Sequence, residues 1–333
     1  MRRIGRKPAA PLILVLAPVL LYLAGCAGNP RSADVGPGGQ TPVPAAATRS
    51  ALAEAGNKAG AGRQEAQSGR FMLDIPKSAG DGEAFALRFG AENAQALDLD
   101  FNGGKLHLET PSKNSGLFEA LLPVPLGTKK KSLILTLTVH WKGGTKEVLT
   151  RAVPLKKRSY PVQKLTVERK FVIPPPEATE KIRRDRAEMR AAVTATSPVQ
   201  YWRLPLALPL PGEVTSVYGA RRVFNGIPKN PHKGVDFDAL DGDPVSAVDA
   251  GTVVLVSEHY YGGNTLVVDH GLGVMSAYLH LSGFNVKKGQ KVARGDTVGF
   301  AGATGRVTGP HLHLSFYVLG ESVNALPLLQ TGE

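Results

Sequence analysis

The chain has 333 residues, 42% of them hydrophobic and 20% charged, so it can bury a sizeable core and has length for about two or three domains. Its single cysteine excludes an intramolecular disulfide framework and any zinc finger built on cysteines. A formal charge of +12 points to an acidic surface or polymer as partner without naming one, and 38 Gly with 25 Pro promise a turn-rich, β-type chain.

Arg2, Arg3, Arg6 and Lys7 make a basic start, and a short apolar run from Pro11 to Leu23 ends in Leu23-Ala24-Gly25-Cys26. This pattern predicts a secretory signal peptide over residues 1–25. The run falls short of the ~20 residues of a comfortable membrane span, and Pro11 and Pro18 weaken it as a helix. The tetrapeptide resembles a bacterial lipobox, which implies a diacylglyceryl group on Cys26 and a membrane anchor there. Ala27, in place of an aspartate, resembles outer-membrane rather than inner-membrane sorting, so the expected location is periplasmic and lipid-anchored. Residues 26–69 are dominated by Ala, Gly, Pro, Ser and Gln and hold no aromatic side chain. They cannot bury enough apolar surface to offset their ordering entropy, which predicts a disordered linker carrying the lipidated Cys26.

Folding signals begin at 70. Phe71 to Ile75, Phe85 to Phe89, Leu97 to Phe101 and Leu106 to Leu108 alternate apolar and polar residues, the period of a strand with one buried face. Leu133 to Val139 and Val148 to Thr150 flank Gly143-Gly144 as a hairpin. The spacing predicts an antiparallel β-sandwich over 70–165, for which an immunoglobulin-like topology is one option. His107, alone on its strand, reads as a structural or surface residue. Residues 166–200 read as a connector: a strand from Lys164 to Ile173 stopped by Pro174-Pro175-Pro176, then a charged helix over Glu177 to Ala195 whose Arg183, Arg184 and Arg186 face solvent. From 201 to 333 the apolar runs are again short and punctuated by glycine, so the whole chain reads as mainly β, its C-terminal part an antiparallel β-sheet domain with a groove.

Six of the eight histidines fall between His232 and His313. In a strand, residues two apart point to one face, so His311 and His313 address the same point; the same rule puts Tyr278 and His280 on one face. Gly234 disfavours a helix between His232 and Asp236, which places His232 on a loop and Asp236 at a strand entry. Two imidazoles and a carboxylate suffice to hold zinc with a fourth position open for water, a site suited to hydrolysis.

Taken together and in order, these motifs resemble the catalytic domain of the LytM/lysostaphin-like zinc metallopeptidases over residues 212–324. The resemblance runs through Val214 to Gly219, His232-Lys-Gly-Val-Asp236, Gly242 to Ala247, Gly263-Asn264, Asp269-His270-Gly271, Tyr278 to Ser282 and Thr304 to His313. It implies a zinc ion held by His232, Asp236 and His313, with His280 and His311 as the non-ligand pair that activates water and stabilises the developing oxyanion. Asn264 matches a position whose side chain approaches zinc in latent relatives, so it is a conditional metal contact. Two departures stand out. No tyrosine lies between Tyr218 and His232 to assist the oxyanion, and Ser315 stands where relatives often carry an acidic residue. His259, beside Tyr260-Tyr261 on an expected loop, and His270, before Gly271 at a turn, have no assigned chemistry.

The function implied is a zinc metalloendopeptidase that hydrolyses peptide cross-links of peptidoglycan, with stem peptides as substrate. The alternative is a non-catalytic LytM-type regulator that binds and activates a cell-wall amidase; relatives of that kind have broken ligand sets, and all five key positions are retained here. Export and the lack of aromatics interleaved with basic clusters argue against nucleic acid as partner. The 70–165 domain has three open roles: docking, binding an envelope protein partner, or covering the groove as an inhibitory lid.

Overall fold

The computed structural model describes residues 63–68, 71–110 and 116–330, the first segment as backbone only. The expected signal peptide, Cys26 and most of the expected linker lie outside the described residues. Among the described residues no helix is long and apolar enough to cross a membrane.

The first part of the chain contributes β1 (Arg63–Ser68), β2 (Phe71–Pro76), β3 (Ala79–Gly80), β4 (Ala84–Gly90), β5 (Ala94–Phe101), β6 (Gly104–Glu109), β7 (Leu117–Pro123), β8 (Ser132–Trp141) and β9 (Lys146–Lys156). They make two facing sheets, one of four strands in the order β1-β2-β4-β7 and one of five in the order β3-β9-β8-β5-β6. Alternation along the strands is what builds the layer between them. Leu133, Leu135, Leu137 and Val139 of β8 point inward with Leu97, Leu99 and Phe101 of β5 and Phe85, Leu87 and Phe89 of β4, all buried. Phe85 meets Phe101 edge-on at 5.4 Å between ring centroids.

Strand β1 corrects the expected linker, because Arg63–Ser68 pairs antiparallel with β2 in register Arg63↔Pro76 to Ser68↔Phe71. Ladder hydrogen bonds come from the backbone of any residue, so a polar edge strand escapes a reading based on apolar alternation.

The connector holds β10 (Val162–Leu165), α1 (Arg169–Val172) and α2 (Thr179–Thr194). The expected strand from Lys164 to Ile173 is therefore split. β10 pairs in parallel with β12 (Arg221–Phe224), which turns back as β13 (Ile227–Pro228). Once β12 ends, the Asn225 side chain takes over the backbone of Val167 through hydrogen bonds of 3.0 and 2.9 Å, and the chain leaves the strand for α1.

The last part contributes β11 (Val214–Ser216), β14 (Val235–Asp238), β15 (Pro244–Ser246), β16 (Gly251–His259), β17 (Gly263–Gly271), β18 (Val274–Leu281), β19 (Gly283–Phe284), β20 (Lys291–Val292), β21 (Thr297–Phe300), β22 (His311–Val318) and β23 (Glu321–Val323). The main sheet runs β11-β14-β22-β18-β17-β16-β20 with β23 beside β22, and a small sheet runs β15-β21-β19. Leu312, Leu314 and Phe316 from one face of β22 pack with Val245, Val298 and Ala301 around the small sheet. On the opposite face Ala192 and Val193 of α2 cover Val267, Met275 and Ala277. His259, expected on a loop, is instead the buried last residue of β16, its Nε2 3.0 Å from the Glu188 carboxylate on α2.

The sandwich and this sheet meet beyond the C-terminal end of β22. Asn324 N donates to Gly82 O at 2.8 Å, Tyr160 Oη donates to Asp81 O, and Leu121 of β7 joins the core that holds Tyr218 and Val323. The Tyr160 ring lies against Gly219, which has a φ of +81° and leaves only 2.3 Å between an added Cβ and Tyr160 Cε1. Gly226 has a similar φ of +82° and open space around it. Gly226→Ala therefore costs only the left-handed backbone penalty, about 1–2 kcal/mol, whereas Gly219→Ala adds a clash with the half-buried Tyr160 ring and is expected to cost more, as read by urea denaturation.

Candidate active site

Strands β14 and β22 are antiparallel neighbours in a register that sets Asp236 opposite His313 and Asp238 opposite His311. Directly opposed residues share a face with their Cβ atoms about 4.5–5.5 Å apart, so this register alone delivers Asp236 to His313. His232 arrives from the preceding loop, strapped to the chain at 219–220: its N donates to Ala220 O at 2.9 Å and its O accepts from Gly219 N at 2.8 Å. Gly234 in between is forced by packing. A Cβ there would lie 2.4 Å from His313 Nε2 and 2.6 Å from Leu314 O.

Three atoms converge. Asp236 Oδ1 lies 3.0 Å from His232 Nε2 and 2.7 Å from His313 Nδ1, and the two nitrogens are 2.9 Å apart. The three residues are buried and are a group able to hold one metal ion.

The opposite edges of the rings fix where the protons are. His232 Nδ1 faces Val217 O at 3.0 Å, an acceptor only, so Nδ1 carries the hydrogen and Nε2 a lone pair. Ser315 Oγ donates its hydrogen to Lys233 O at 3.0 Å, so it accepts from His313 Nε2 at 2.7 Å, leaving the lone pair on Nδ1. Two imidazole lone pairs and a carboxylate oxygen thus point at one another with no hydrogen between the two nitrogens. That is the donor set of a cation site, and the residues fit a metal ion.

Electrostatics agree. Burial pushes His232 down to about 4, against the pull of Asp236, and burial likewise lowers His313, so both imidazoles are neutral. Burial alone would raise Asp236; the adjacent His232 and Arg222 and the hydrogen bonds it accepts outweigh this and hold it well below the usual carboxylate range. Arg222 is the structural cause to retain, since its Nη2 donates to Asp236 Oδ2 at 2.7 Å and leaves Oδ1 for the convergence point.

His280 and His311 border this group. His311 Nδ1 donates to Gly309 O at 2.9 Å, and its Nε2 lies 3.9 Å from Asp236 Oδ1. His280 Nδ1 donates to Thr304 O at 2.8 Å, and its ring centroid is 5.0 Å from that of His311 and 5.8 Å from that of His313. Each of the two therefore keeps a lone pair on Nε2. Burial, with His311 and His313 nearby, holds His280 well below the usual imidazole range.

Tyr278 does not share the direction expected for it with His280. It pairs with Leu314, is fully buried, and accepts from Val248 N at 2.9 Å on the core side. His280 has a φ of +65°, outside the strand region, and its N donates to Gly262 O. That left-handed residue breaks the two-residue period and swings His280 toward the other histidines.

Asn264 donates its side-chain amide to Ser282 O at 3.3 Å. His270 is buried between Ala250 O at 2.7 Å and Ser276 Oγ at 2.8 Å. On the sandwich, Asp98 stands between His107 Nδ1 and His140 Nε2, each 2.5 Å from a different carboxylate oxygen; this trio is hydrogen-bonded through separate oxygens and is not a convergent ligand group. Sequence reasoning missed Arg222, Ser216 and Gln163. Ser216 Oγ is 3.0 Å from His232 Nδ1 and donates to Gln163 Oε1 at 2.8 Å, so β10 touches the support of the site. Arg222 and Gln163 belong to no local motif, Ser216 lies in the Val214 to Gly219 stretch with no role assigned to it there, and the pairing of β10 with β12 and of β11 with β14 brings the three together.

A buried His-Asp-His group on an antiparallel sheet, flanked by two further histidines, defines a metallopeptidase-type site. Residues 230–325 match the model of peptidase family M23. The match begins inside the 212–324 stretch picked out by the motifs. Peptidoglycan DD-endopeptidase ShyA of Vibrio cholerae is 52% identical over 96 residues, 29% of this chain and 22% of that protein. DD-carboxypeptidase/endopeptidase Mpg of Neisseria meningitidis is 40% identical over 93 residues, 28% of this chain and 21% of that protein. The matched segment thus spans about a fifth of the length of these curated relatives. A crystal structure assigned to peptidase M23 from Pseudomonas aeruginosa, 27% identical, aligns with a TM-score of 0.57 over 76% of this chain and 95% of its own, so the likeness extends beyond the peptidase segment.

Ser315→Ala would leave the buried His313 Nε2–H without its acceptor and free the tautomer. It is expected to weaken metal affinity about 10- to 100-fold, measured by competition with a chromophoric chelator. Gly234→Ala, which pushes a methyl group into His313, is expected to do so at least as strongly.

Proposed function

We propose that the chain is a zinc metalloendopeptidase hydrolysing peptide cross-links of peptidoglycan. The observation that carries this reading is the convergence of three unprotonated donor atoms from His232, Asp236 and His313 beside two histidines that are each fixed through Nδ1 to a backbone carbonyl. The names of the relatives supply the substrate class.

Held by those three residues, zinc would polarise the scissile carbonyl and make water a nucleophile at neutral pH. The chain's own residues do the rest. Arg222 keeps Asp236 ionised and turned so that Oδ1 faces the site. Val217 O and Ser315 Oγ hold the two ligand imidazoles in the tautomers that expose a lone pair. His280 and His311, each fixed through Nδ1 to a backbone carbonyl, offer Nε2 as the base that takes a proton from the attacking water. As the C–O bond forms and the amide C–N bond breaks, that proton passes to the departing nitrogen, which leaves as an amine. The same imidazolium donates a hydrogen bond to the oxyanion before it gives the proton up.

The signal pattern and Leu23-Ala24-Gly25-Cys26 support secretion and lipidation at Cys26, with the enzyme held in the periplasm on a membrane, the outer one in our reading. A linker of some forty residues would give reach into a wall beside that membrane.

His232→Ala, Asp236→Ala and His313→Ala are expected to abolish both zinc binding, by metal analysis of the purified protein, and release of fragments from muropeptides, by mass spectrometry. His280→Ala is expected to retain zinc and lose turnover about 10²- to 10⁴-fold; retention of full turnover would refute its role. Removing zinc with a chelator should abolish hydrolysis, and stoichiometric zinc should restore it. Metabolic labelling with a palmitate analogue is expected to mark the wild-type chain and not Cys26→Ser.

A further inference from the structure

One charged side chain at the rim of the site has no role in the arrangement above. Arg306 lies in the loop between β21 and β22. Its guanidinium carbon is 4.6 Å from the centroid of the Tyr261 ring and 4.7 Å from that of Phe224. The backbone beneath it is pinned. Arg306 N donates to Tyr261 O at 2.9 Å, and Gly305, with a φ of +76°, lies so close to Gly263 that an added Cβ would be 2.4 Å from its nitrogen.

Arg222 stands on the same Phe224 ring, 6.0 Å from its centroid, but its charge is already matched by Asp236 at 2.7 Å. Arg306 is different. Among the described residues no carboxylate or carbonyl pairs with its guanidinium, and only the two rings hold it. Burial and the nearby Arg222 lower it to about 10, so it stays a cation at neutral pH. Its place relative to the chemistry is set by Thr304, two residues earlier, whose carbonyl receives the His280 Nδ1 hydrogen at 2.8 Å.

A half-buried cation without a counter-charge, held over two aromatic rings and on a hydrogen-bonded loop, suits a planar anion. The guanidinium fork matches a carboxylate through two parallel hydrogen bonds, and aromatic stacking leaves its edge free to make them. We propose that Arg306 is the carboxylate-binding residue of the substrate groove and takes a free carboxylate carried by the residue next to the scissile amide. This rests on the peptidoglycan endopeptidase reading and narrows its substrate class to cross-links with an unblocked acid beside the bond that is cut. Arg306 is a specificity-determining residue; the bond-breaking groups remain His280 and His311.

The test uses the zinc-loaded full chain and two synthetic cross-linked stem peptides that are identical except for that carboxylate, free in one and a carboxamide in the other. The wild type is expected to show a kcat/KM roughly 10- to 100-fold higher for the free acid, mostly through KM. Arg306→Gln should abolish the difference between the two peptides, with the larger loss on the free acid, and Arg306→Lys should recover part of it. Equal wild-type rates on the two peptides would overturn the proposal and leave the endopeptidase reading intact. So would an Arg306→Gln variant that loses the same factor on both substrates, which marks a structural role. If neither peptide is cut, the endopeptidase reading fails by itself. Calorimetric titration with the two corresponding cleavage-product peptides then decides the subsite: tighter binding of the free acid, lost in Arg306→Gln, supports it, and equal affinity overturns it.

Discussion

The arrangement of the site depends on one register. Because Asp236 stands opposite His313 across the β14–β22 pair, a carboxylate and an imidazole are delivered to the same face at bonding range, and His311 follows two residues away on that face. A slip of one residue would turn Asp236, His311 and His313 toward the core and Leu312 and Leu314 toward the groove. Burial of Leu312, Leu314, Val235 and Phe237 therefore specifies the register, and the register in turn specifies how the Asp236 and His313 donor atoms meet. Stability and chemistry are coupled through the alternation of two strands.

The same alternation brings neutral imidazoles and an ionised acid into a buried place, where their mutual arrangement is unfavourable without a cation. Burial lowers His232 and His313, which frees lone pairs, and Arg222 prevents the same burial from protonating Asp236. Opposite responses to one low-dielectric environment are obtained by giving a single member of the group a guanidinium partner. Ser315, at a position where relatives often carry an acidic residue, meets the requirement at His313 by a different route. Its hydroxyl donates to Lys233 O and must accept from Nε2, so orientation and tautomer are fixed with no added negative charge.

How much of this was legible in the sequence follows from which features have a local signature. His311 and His313 were legible because a strand has a period of two, and the strands of the sandwich because one face is apolar. Strand β1 was not, since a polar edge strand is held by its backbone, nor was the shortness of β10, whose parallel partner lies nearly sixty residues later. The direction of His280 was misread because the period was carried one residue too far: a φ of +65° at a histidine leaves no trace in hydropathy. Arg222 is a cation among 40 Lys and Arg, and only the fold distinguishes it by setting it on Asp236.

These contacts also move the physical start of the site upstream of residue 230, where the family match begins. The imidazole of His232 is oriented by Val217 O and Ser216 Oγ, and Ser216 is itself held by Gln163 from a strand that leaves the sandwich. The aromatic face under Arg306 is likewise shared. Phe224 packs with Phe171 and Val172 of α1, and Phe171 meets Tyr260 at 5.4 Å. The connector thus packs against the aromatic residues beneath Arg306, while the sandwich itself docks beyond the far end of β22, at Gly82 and Asn324. Strand β10 carries four register pairs with β12 that end at Phe224. The connector thus supports His232 through Gln163 and Ser216, while the sandwich joins the same core directly through Leu121.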